Sequence, residues 1–230
     1  MATWIKICGL TNLEDAALAA GLGADALGFV LHPQSRRYCA PNTARAIITA
    51  VPPSVTTIGV WLDESADVVS AAARFIGCDF VQTYDPMSAR ALHAQGFDVL
   101  PAIPVADEAD GGEDWRRFCQ SWTGRVVVDR SRVTLQRSIQ ACVRGRDESH
   151  DVVSTLRKTL QVVLAGGLNP ENIRAALNAY RPLGVDVASG VESALGQKDT
   201  EKLVRFIEEV RRWDAMVGSD GSVGSLSPRP

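Results

Sequence analysis

Length, composition and charge place this chain among ordinary globular proteins with one large core. It has 230 residues, of which 46% are hydrophobic and 22% are charged, so it is neither disordered nor fibrous. The formal net charge of −3 excludes a dominant electrostatic attraction to nucleic acid or to anionic lipid. We therefore expect a small-molecule partner, no nucleic acid and no membrane.

The cysteines and the N-terminal segment indicate a cytoplasmic protein without a metal centre. The cysteines form no CxxC pair and have no histidines at metal-binding spacing, so we expect free thiols. The apolar run at the N-terminus is too short for a signal peptide or a membrane span. The five cysteines are Cys8, Cys39, Cys78, Cys119 and Cys142.

Short apolar runs rich in Val and Ile alternate with helical stretches along the chain, which is typical of βαβ units and a parallel sheet. Eight strands in strict alternation with helices favour an α/β protein with a single eight-stranded β/α (TIM) barrel over an open doubly wound sheet. The predicted strands are Trp4–Cys8, Ala26–Leu31, Thr57–Leu62, Phe80–Thr83, Val99–Ile103, Arg125–Val128, Gln161–Leu164 and Val185–Val187.

Capping signals mark the starts of several predicted helices. Thr11, with Glu14 three residues later, predicts a capping box. Asn169 precedes Pro170, and proline is favoured at the first position of a helix. Asp199 is predicted to open the last helix.

Two segments depart from the repeating pattern. Residues 131–159 are too many for one barrel helix and predict a helix, an exposed loop and a second helix. The end of the chain is rich in Gly, Ser and Pro without periodicity. We therefore expect the barrel to span residues 1–213 and residues 214–230 to form a disordered tail.

Two glycine-containing loops follow the last two predicted strands, at the end of a barrel where active sites form. Gly166 and Gly167 follow the seventh strand, and Ser189 and Gly190 follow the eighth. Glycines let backbone N–H groups approach an anion closely, and a helix start adds a favourable dipole. Either loop alone is explained best as a plain turn. Both together favour a phosphate-binding site.

Three further positions leave two interpretations open when the residues are taken alone. Cys8 ends the first strand, although most free cysteines are simply small buried hydrophobic residues. Asp129 follows the sixth strand and is either a carboxylate on the barrel rim or a helix cap. Arg36 or Arg37, after the second strand, either binds a substrate carboxylate with two guanidinium nitrogens or faces water.

Five runs of the sequence, in this order and spacing, carry a family resemblance: Ile5–Asn12, Gly23–Phe29, Ser35–Tyr38, Leu164–Asn172 and Gly184–Glu192. Together they resemble the phosphoribosylanthranilate isomerase family of tryptophan biosynthesis. The resemblance extends from Lys6 to about Phe206, and its motifs are specific in combination. The family is a β/α barrel, in agreement with the strand pattern.

The resemblance implies an aldose-ketose isomerase, an intramolecular oxidoreductase that converts an N-aryl aminoaldose phosphate to the aminoketose phosphate by an Amadori rearrangement. By position, Cys8 matches the general base that removes the proton from sugar C2, and Asp129 matches the general acid that protonates the ring oxygen. Arg37 matches the residue that faces the anthranilate carboxylate. Lys6 and Asp186, within the matching runs, are expected to bind substrate.

The resemblance also implies that no cofactor and no metal is required, and we expect a monomer or a homodimer. A thiol suits the role of base if a nearby phosphate site or helix end lowers its pKa.

Three departures from the family pattern bear on substrate binding. In the run Val81–Asp85 the histidine that usually follows strand four is missing. The segment after Asp129 lacks the usual glycine-rich loop and Phe-Asp-Trp run, and Ala188 replaces one serine of the usual Ser-Ser-Gly. We expect arginines of the rebuilt segment to replace lost phosphate contacts, namely Arg130, Arg132 and Arg137.

Two functional hypotheses follow. The first is an isomerase acting on phosphoribosylanthranilate or on a related arylamine sugar phosphate. The second is a non-catalytic or accessory paralogue that binds a phosphorylated ligand. The presence of both Cys8 and Asp129 at strand ends favours the enzyme.

Overall fold

Eight parallel strands close into one barrel in the computed structural model, which describes residues 2–105, 112–130 and 152–219. Each strand pairs with the next along the chain, and the eighth pairs with the first. The predicted barrel is confirmed, with strand ends that differ from the predicted ones by one or two residues. The strands are β1 (Trp4–Ile7), β2 (Ala26–Val30), β3 (Thr56–Trp61), β4 (Phe80–Thr83), β5 (Asp98–Val105), β6 (Arg125–Arg130), β7 (Gln161–Ala165) and β8 (Gly184–Val187).

Helices alternate with the strands and surround the barrel. After β8, a 3-10 turn at Ser189–Val191 leads into a short hairpin of β9 (Glu192–Ala194) and β10 (Gln197–Lys198). In the described ranges the α-helices are α1 (Leu13–Gly21), α2 (Pro41–Ala50), α3 (Ala66–Ile76), α4 (Pro86–Ala94), α5 (Gly112–Ser121), α6 (Val152–Leu156), α7 (Ile173–Tyr180) and α8 (Thr200–Ser219).

Alternation along the strands separates two apolar regions. Successive residues of a strand point to opposite faces. Every second residue of each strand therefore faces the barrel interior, and the residues between them face the helices. In β1, Ile5 and Ile7 pack towards the helices, whereas Cys8, just past the strand, belongs to the interior cluster. Lys6 shares the inward face with Cys8 because the two are two residues apart. The inward cluster consists of Cys8, Ala26, Val30, Ile58, Val60, Leu100, Ala102, Val127, Val163 and Ala165.

The start of α1 differs from the predicted capping box. Asn12 is the N-cap, and its side chain accepts a hydrogen bond from the Asp15 backbone N–H. The Thr11 hydroxyl instead donates to the Gly196 carbonyl in the turn between β9 and β10, 2.7 Å away. The predicted capping hydroxyl therefore makes a tertiary contact instead, and the N-cap lies one residue later.

The start of α7 also lies further along the chain than Pro170. The Asn169 side chain accepts from the backbone N–H groups of Glu171 and Asn172, which closes a turn before the helix begins at Ile173. The glycine loop after β7 is thus separated from the helix by this turn. At α8 the prediction is confirmed, since Asp199 accepts from the Lys202 backbone N–H.

The last helix continues to Ser219, so residues 214–219 are helical rather than part of an unstructured tail. Residues 220–230, to which the rest of the disorder prediction applies, lie outside the described residues, as do residues 131–151 of the long segment after β6. Its predicted second helix corresponds to α6. None of the helices in the described ranges has the length and hydrophobicity needed to cross a bilayer.

Candidate active site

A cavity of about 410 Å³ opens at the carboxyl ends of the strands. Seven of the nine residues predicted for the site line it, and Lys6 and Gly190 do not. Neighbouring strand ends converge here because all eight strands are parallel. The seven are Cys8, Arg37, Asp129, Gly166, Gly167, Asp186 and Ser189.

The floor of the cavity contains a buried ion pair beneath the Cys8 thiol. Lys6 is fully buried, and its Nζ lies 2.7 Å from Oδ2 of Asp186 on the adjacent strand β8. Room for these groups is provided by Gly28 in β2, where a Cβ would stand 2.8 Å from the Cys8 Sγ and 3.0 Å from the Lys6 Cε. The Lys6 ammonium therefore acts on its neighbours from below and does not form part of the cavity wall.

The surroundings of the Cys8 thiol act on its pKa in opposite directions. Burial raises the pKa of the Cys8 thiol, and the Asp186 carboxylate raises it further, while the Lys6 and Lys198 ammonium groups offset part of the shift. The net shift is upward because the thiol is almost completely buried. The described surroundings of Cys8 therefore do not by themselves supply the lowered pKa that suits a thiol base.

Asp129 faces the cavity from β6 and is hydrogen-bonded to Tyr84. The Tyr84 hydroxyl, just past β4, donates to the Asp129 Oδ2 over 2.7 Å. Burial raises the pKa of the Asp129 carboxyl, the bond from Tyr84 works in the opposite direction, and the Asp186 carboxylate raises it again. Burial also holds the pKa of Tyr84 well above its usual range, so the phenol remains a donor.

The loops after β7 and β8 contribute residues to the same cavity, some of them with backbone amides that are unpaired within the described residues. In the described part of the chain, the amides of Gly167, Leu168 and Ser189 donate to no backbone carbonyl, and all three residues line the cavity. Gly166 and Gly190 have a different role, since a Cβ there would stand 1.6 Å from the Arg130 carbonyl oxygen and 1.8 Å from that of Leu168. Those two glycines allow the loops to pack against neighbouring backbone.

Arg37 lies on the cavity wall in a buried charge network. Its Nε and Nη2 donate to the two carboxylate oxygens of Glu192, over 2.7 and 2.8 Å. The Lys198 Nζ also contacts Glu192 and donates to the Cys8 carbonyl oxygen. Burial alone would raise the pKa of Glu192, but Arg37 and Lys198 hold that pKa below its ordinary value. The predicted two-nitrogen contact of Arg37 is therefore made to Glu192.

Comparison with known proteins identifies the family. A family model described as N-(5'phosphoribosyl)anthranilate isomerase matches residues 5–209. The chain belongs to this family. A curated phosphoribosylanthranilate isomerase from Desulforudis audaxviator is 38% identical over 215 residues, covering 91% of this chain and 98% of the relative. One from Thermotoga maritima is 34% identical over 212 residues, covering 90% and 98%.

Solved structures of the phosphoribosylanthranilate isomerase family share the architecture. The Thermotoga maritima structure has a TM-score of 0.75 and 32% identity, and it covers 91% of this chain and 99% of its own. The Thermus thermophilus structure has a TM-score of 0.74 and 35% identity, with the same coverage. A further structure, with a TM-score of 0.72 and 33% identity, again over 91% and 99%, is a complex with reduced 1-(o-carboxyphenylamino)-1-deoxyribulose 5-phosphate.

Arg130 is not among the residues that line the cavity. It is the last residue of β6, only 7% exposed, and its guanidinium lies over the Tyr180 ring of α7, 5.6 Å from the ring centre. Since Asp129 points into the barrel, the next residue points outward. The expectation that Arg130 binds phosphate is wrong. Arg132 and Arg137 lie outside the described residues.

Several cavity residues escaped prediction as site residues. Tyr84, at the position where a family histidine is expected, entered the sequence argument only as a departure. Gln82, which is 1% exposed, was passed over although strand alternation places it two residues before Tyr84 on the inward face. Its Oε1 has no hydrogen-bond partner among the described residues, and the same is true of Asp186 Oδ1. Such buried acceptors are available to a bound ligand.

Among the residues that the structure describes, one group of metal-binding residue types occurs, at the rim just past β2 and β3. His32, Asp63 and Glu64 place one ligand atom each within 4.8 Å of one another. The His32 Nδ1 is already 2.8 Å from Glu64, the Asp63 side chain is 83% exposed, and Glu64 also accepts from the Leu62 backbone. This group is explained by its internal hydrogen bonds, and no metal is assigned to it.

Proposed function

We propose that this protein catalyses the Amadori rearrangement of N-(5'-phosphoribosyl)anthranilate to the corresponding aminoketose phosphate. The observation that carries the proposal is the convergence of the Cys8 thiol and the Asp129 carboxyl on one cavity that also exposes backbone amides. An acid, a base and an anion site are the groups that this reaction needs. The relatives named for this activity support the same conclusion.

The first step in the proposed mechanism opens the sugar ring. Asp129 gives its proton to the ring oxygen while the bond from that oxygen to C1 breaks. The lone pair of the substrate nitrogen forms a C=N bond to C1, so the positive charge resides on nitrogen and Asp129 becomes a carboxylate. The raised pKa of Asp129 favours this role because a carboxyl group must hold its proton before it can donate it.

The second step removes the proton from C2. The Cys8 thiolate accepts it, the electrons of the C–H bond form a C1=C2 double bond, and the C=N electrons return to nitrogen. In the resulting enol the C2 hydroxyl then loses its proton to solvent, its electrons form the C2=O bond of the ketone, and the C1=C2 electrons take up a proton at C1, for which the Cys8 thiol formed in this step is the donor. Lys6 favours this step, since its ammonium group stabilises the thiolate and its pairing with Asp186 limits the repulsion between that carboxylate and the sulfur anion.

The remaining cavity groups fit the other parts of the substrate. The amides of Gly167, Leu168 and Ser189 are proposed to bind the phosphate, and the buried acceptors Gln82 Oε1 and Asp186 Oδ1 to bind sugar hydroxyls. Arg37 uses Nε and Nη2 for Glu192, so we assign the anthranilate carboxylate to its Nη1, which has no hydrogen bond within the described ranges.

The proposal also covers the assembly state and the cellular compartment. One solved relative, from Thermotoga maritima, is described as dimeric, and for this chain we propose a homodimer or a monomer in the cytoplasm. Light scattering coupled to gel filtration distinguishes the two assembly states. No cofactor enters the proposed steps, because proton transfers alone interconvert aldose and ketose.

The decisive experiment is a direct assay with freshly prepared phosphoribosylanthranilate, following the loss of its fluorescence. We expect saturable turnover by the purified full-length chain and its loss in the matched Cys8→Ser protein. An accessory protein would instead bind the reduced product analogue with micromolar or better affinity and show no turnover above the Cys8→Ser control. That result would contradict the proposal.

A further inference from the structure

We propose that Tyr84 is a positioning residue that holds the Asp129 carboxyl by its Oδ2 and thereby keeps Oδ1 as the oxygen that donates the proton. The inference rests on the proposed function, because it concerns the acid of that reaction. Tyr84 touches Asp129 directly, and it acts on the substrate only through this carboxyl group.

The first support is geometric. Tyr84 and Asp129 belong to strands that are not neighbours, because β5 lies between β4 and β6. At the register of Asp129, β5 carries Pro104, which has neither a backbone N–H nor a polar side chain. Two residues earlier, β5 carries Ala102, which faces the barrel interior. The Ala102 and Pro104 side chains are small and carry no polar atom, so the Tyr84 hydroxyl can reach across β5.

The second support comes from the hydrogen-bond count. In the described part of the chain, Asp129 Oδ2 is the one recorded partner of the Tyr84 hydroxyl. If the carboxyl proton were on Oδ2, the phenol would have to accept it and would leave its own hydrogen without a partner in a largely buried place. The arrangement with the lowest cost therefore has Tyr84 as donor and the acidic proton on Oδ1.

The third support is the charge that forms when Asp129 gives up its proton. Among the described residues, the other charged groups that act on it are Asp186 from β8, which repels the new carboxylate, and the Lys6 ammonium from β1, which attracts it from the floor. The neighbouring strand β7 contributes Ala165, which is uncharged. Tyr84 adds a donor to a carboxylate, a class of hydrogen bond that is roughly twice as strong as a neutral one.

The test compares Tyr84→Phe with the wild-type chain and with Tyr38→Phe. Tyr38 is 39% exposed and does not line the cavity, so its substitution is a matched loss of one phenol hydroxyl. We expect Tyr84→Phe to lower kcat at least about tenfold while KM changes less than about threefold, because the carboxyl loses its orientation but the substrate contacts remain. Tyr38→Phe should match the wild type in both constants.

A second readout is the titration of Asp129 itself, followed by carbon-13 NMR of labelled aspartate in the free protein. Removing a donor to the carboxylate should raise the pKa of Asp129 in Tyr84→Phe, and leave it unchanged in Tyr38→Phe. A purely space-filling tyrosine would move neither this pKa nor kcat.

The possible results separate the two proposals. An active wild type with an unchanged kcat in Tyr84→Phe overturns the positioning role and leaves the proposed function intact. An inactive wild type overturns the proposed function. In that case the titration still decides whether Tyr84 controls Asp129, since an unchanged pKa of this carboxyl overturns the inference without any substrate.

Discussion

At the scale of single residues, the surroundings of the proposed acid and base shift the pKa values of both groups in the same direction. Burial raises the pKa of the Cys8 thiol and of the Asp129 carboxyl. For the acid, this shift helps to keep the proton. For the base it is a cost, and the Lys6 ammonium recovers part of it. In the proposed mechanism the base therefore depends on a cation that lies beneath the cavity and does not line it.

Single substitutions at the two groups test their assignment. We expect Cys8→Ser and Asp129→Asn each to lower kcat by at least about a hundredfold, the scale for losing a positioned acid or base. Both changes are nearly isosteric, so the melting temperature and the circular dichroism spectrum should stay close to those of the wild type. Near-normal turnover by either folded variant would show that its residue is not the acid or the base.

Gly28 offers a test of how closely the floor of the cavity is packed. A methyl group at Gly28 would stand 2.8 Å from the Cys8 Sγ, so Gly28→Ala should displace the sulfur and lower kcat at least about tenfold. We also expect a loss of about 1 to 3 kcal/mol in the free energy of unfolding from overpacking. Gly21→Ala, at the end of α1 with open space around it, is the matched control and should change neither quantity appreciably.

Single residues also show where reading the sequence succeeds. The strand pattern placed Cys8 and Asp129 at strand ends but left their roles open, and the family resemblance made Cys8, Asp129 and Asp186 predicted site residues. The hydrogen bond from Tyr84 to Asp129 joins residues 45 apart across an intervening strand. The pairing of Arg37 with Glu192 spans 155 residues. No local pattern contains such partners.

At the scale of elements, the loops after β7 and β8 divide their glycines between two tasks. Gly166 and Gly190 permit close packing against backbone, whereas Gly167, which lies on the cavity wall beside Gly166, has a φ of 71°. The two tasks look alike in the sequence, because both require a residue without a Cβ. The pattern predicts an anion site, but it does not distinguish a glycine that would bind the anion from one that packs against backbone.

Ser189 tests the anion site without disturbing the glycines. Ser189→Ala removes a hydroxyl on the cavity wall, and we expect affinity for the reduced product analogue to fall about tenfold with kcat within about threefold. Calorimetric titration measures the affinity. Ser193→Ala, at an exposed position in β9, is the control. Equal dissociation constants for the two variants would place the phosphate elsewhere in the cavity.

Helix starts illustrate a second limit at this scale. The Thr11 capping box was wrong because the Thr11 hydroxyl bonds to Gly196, a residue distant in the chain. Asn12 takes over as the N-cap and accepts from the Asp15 backbone N–H. The Asp15 carboxylate in turn accepts from the Lys198 backbone N–H. Ser, Thr and Asn have similar capping ability, so a single tertiary hydrogen bond is enough to decide among them.

At the scale of the whole molecule, the two ends of the chain are tied together where the barrel closes. The Thr3 backbone N–H and hydroxyl both donate to the Asp214 carboxylate in α8. Arg211 adds donors to the Thr3 carbonyl and to the Asp25 carboxylate. The last turns of α8 therefore belong to the barrel, which explains why the predicted boundary at residue 213 falls too early.

Asp214→Ala should lower the free energy of unfolding by about 1 to 3 kcal/mol, because it leaves donors of Thr3 without their acceptor. Urea denaturation measures this, and kcat of the folded protein should not change. Glu208→Ala removes an exposed ion pair with Arg212 on the same helix and should cost no more than about 0.5 kcal/mol. A loss for Asp214→Ala no larger than for Glu208→Ala would mean that this contact does not stabilise the barrel.

The sequence by itself determined the barrel, the order of its strands and the strand ends at which Cys8, Asp129 and the glycine loops lie. These follow from periodicity and from motifs, which are local properties of the chain. The tertiary structure decided which groups meet. It buried Lys6 under Cys8, turned Arg130 outward, and joined Tyr84 to Asp129. Burial and pKa depend on atoms brought together from different strands, so these properties exist only once the barrel has closed.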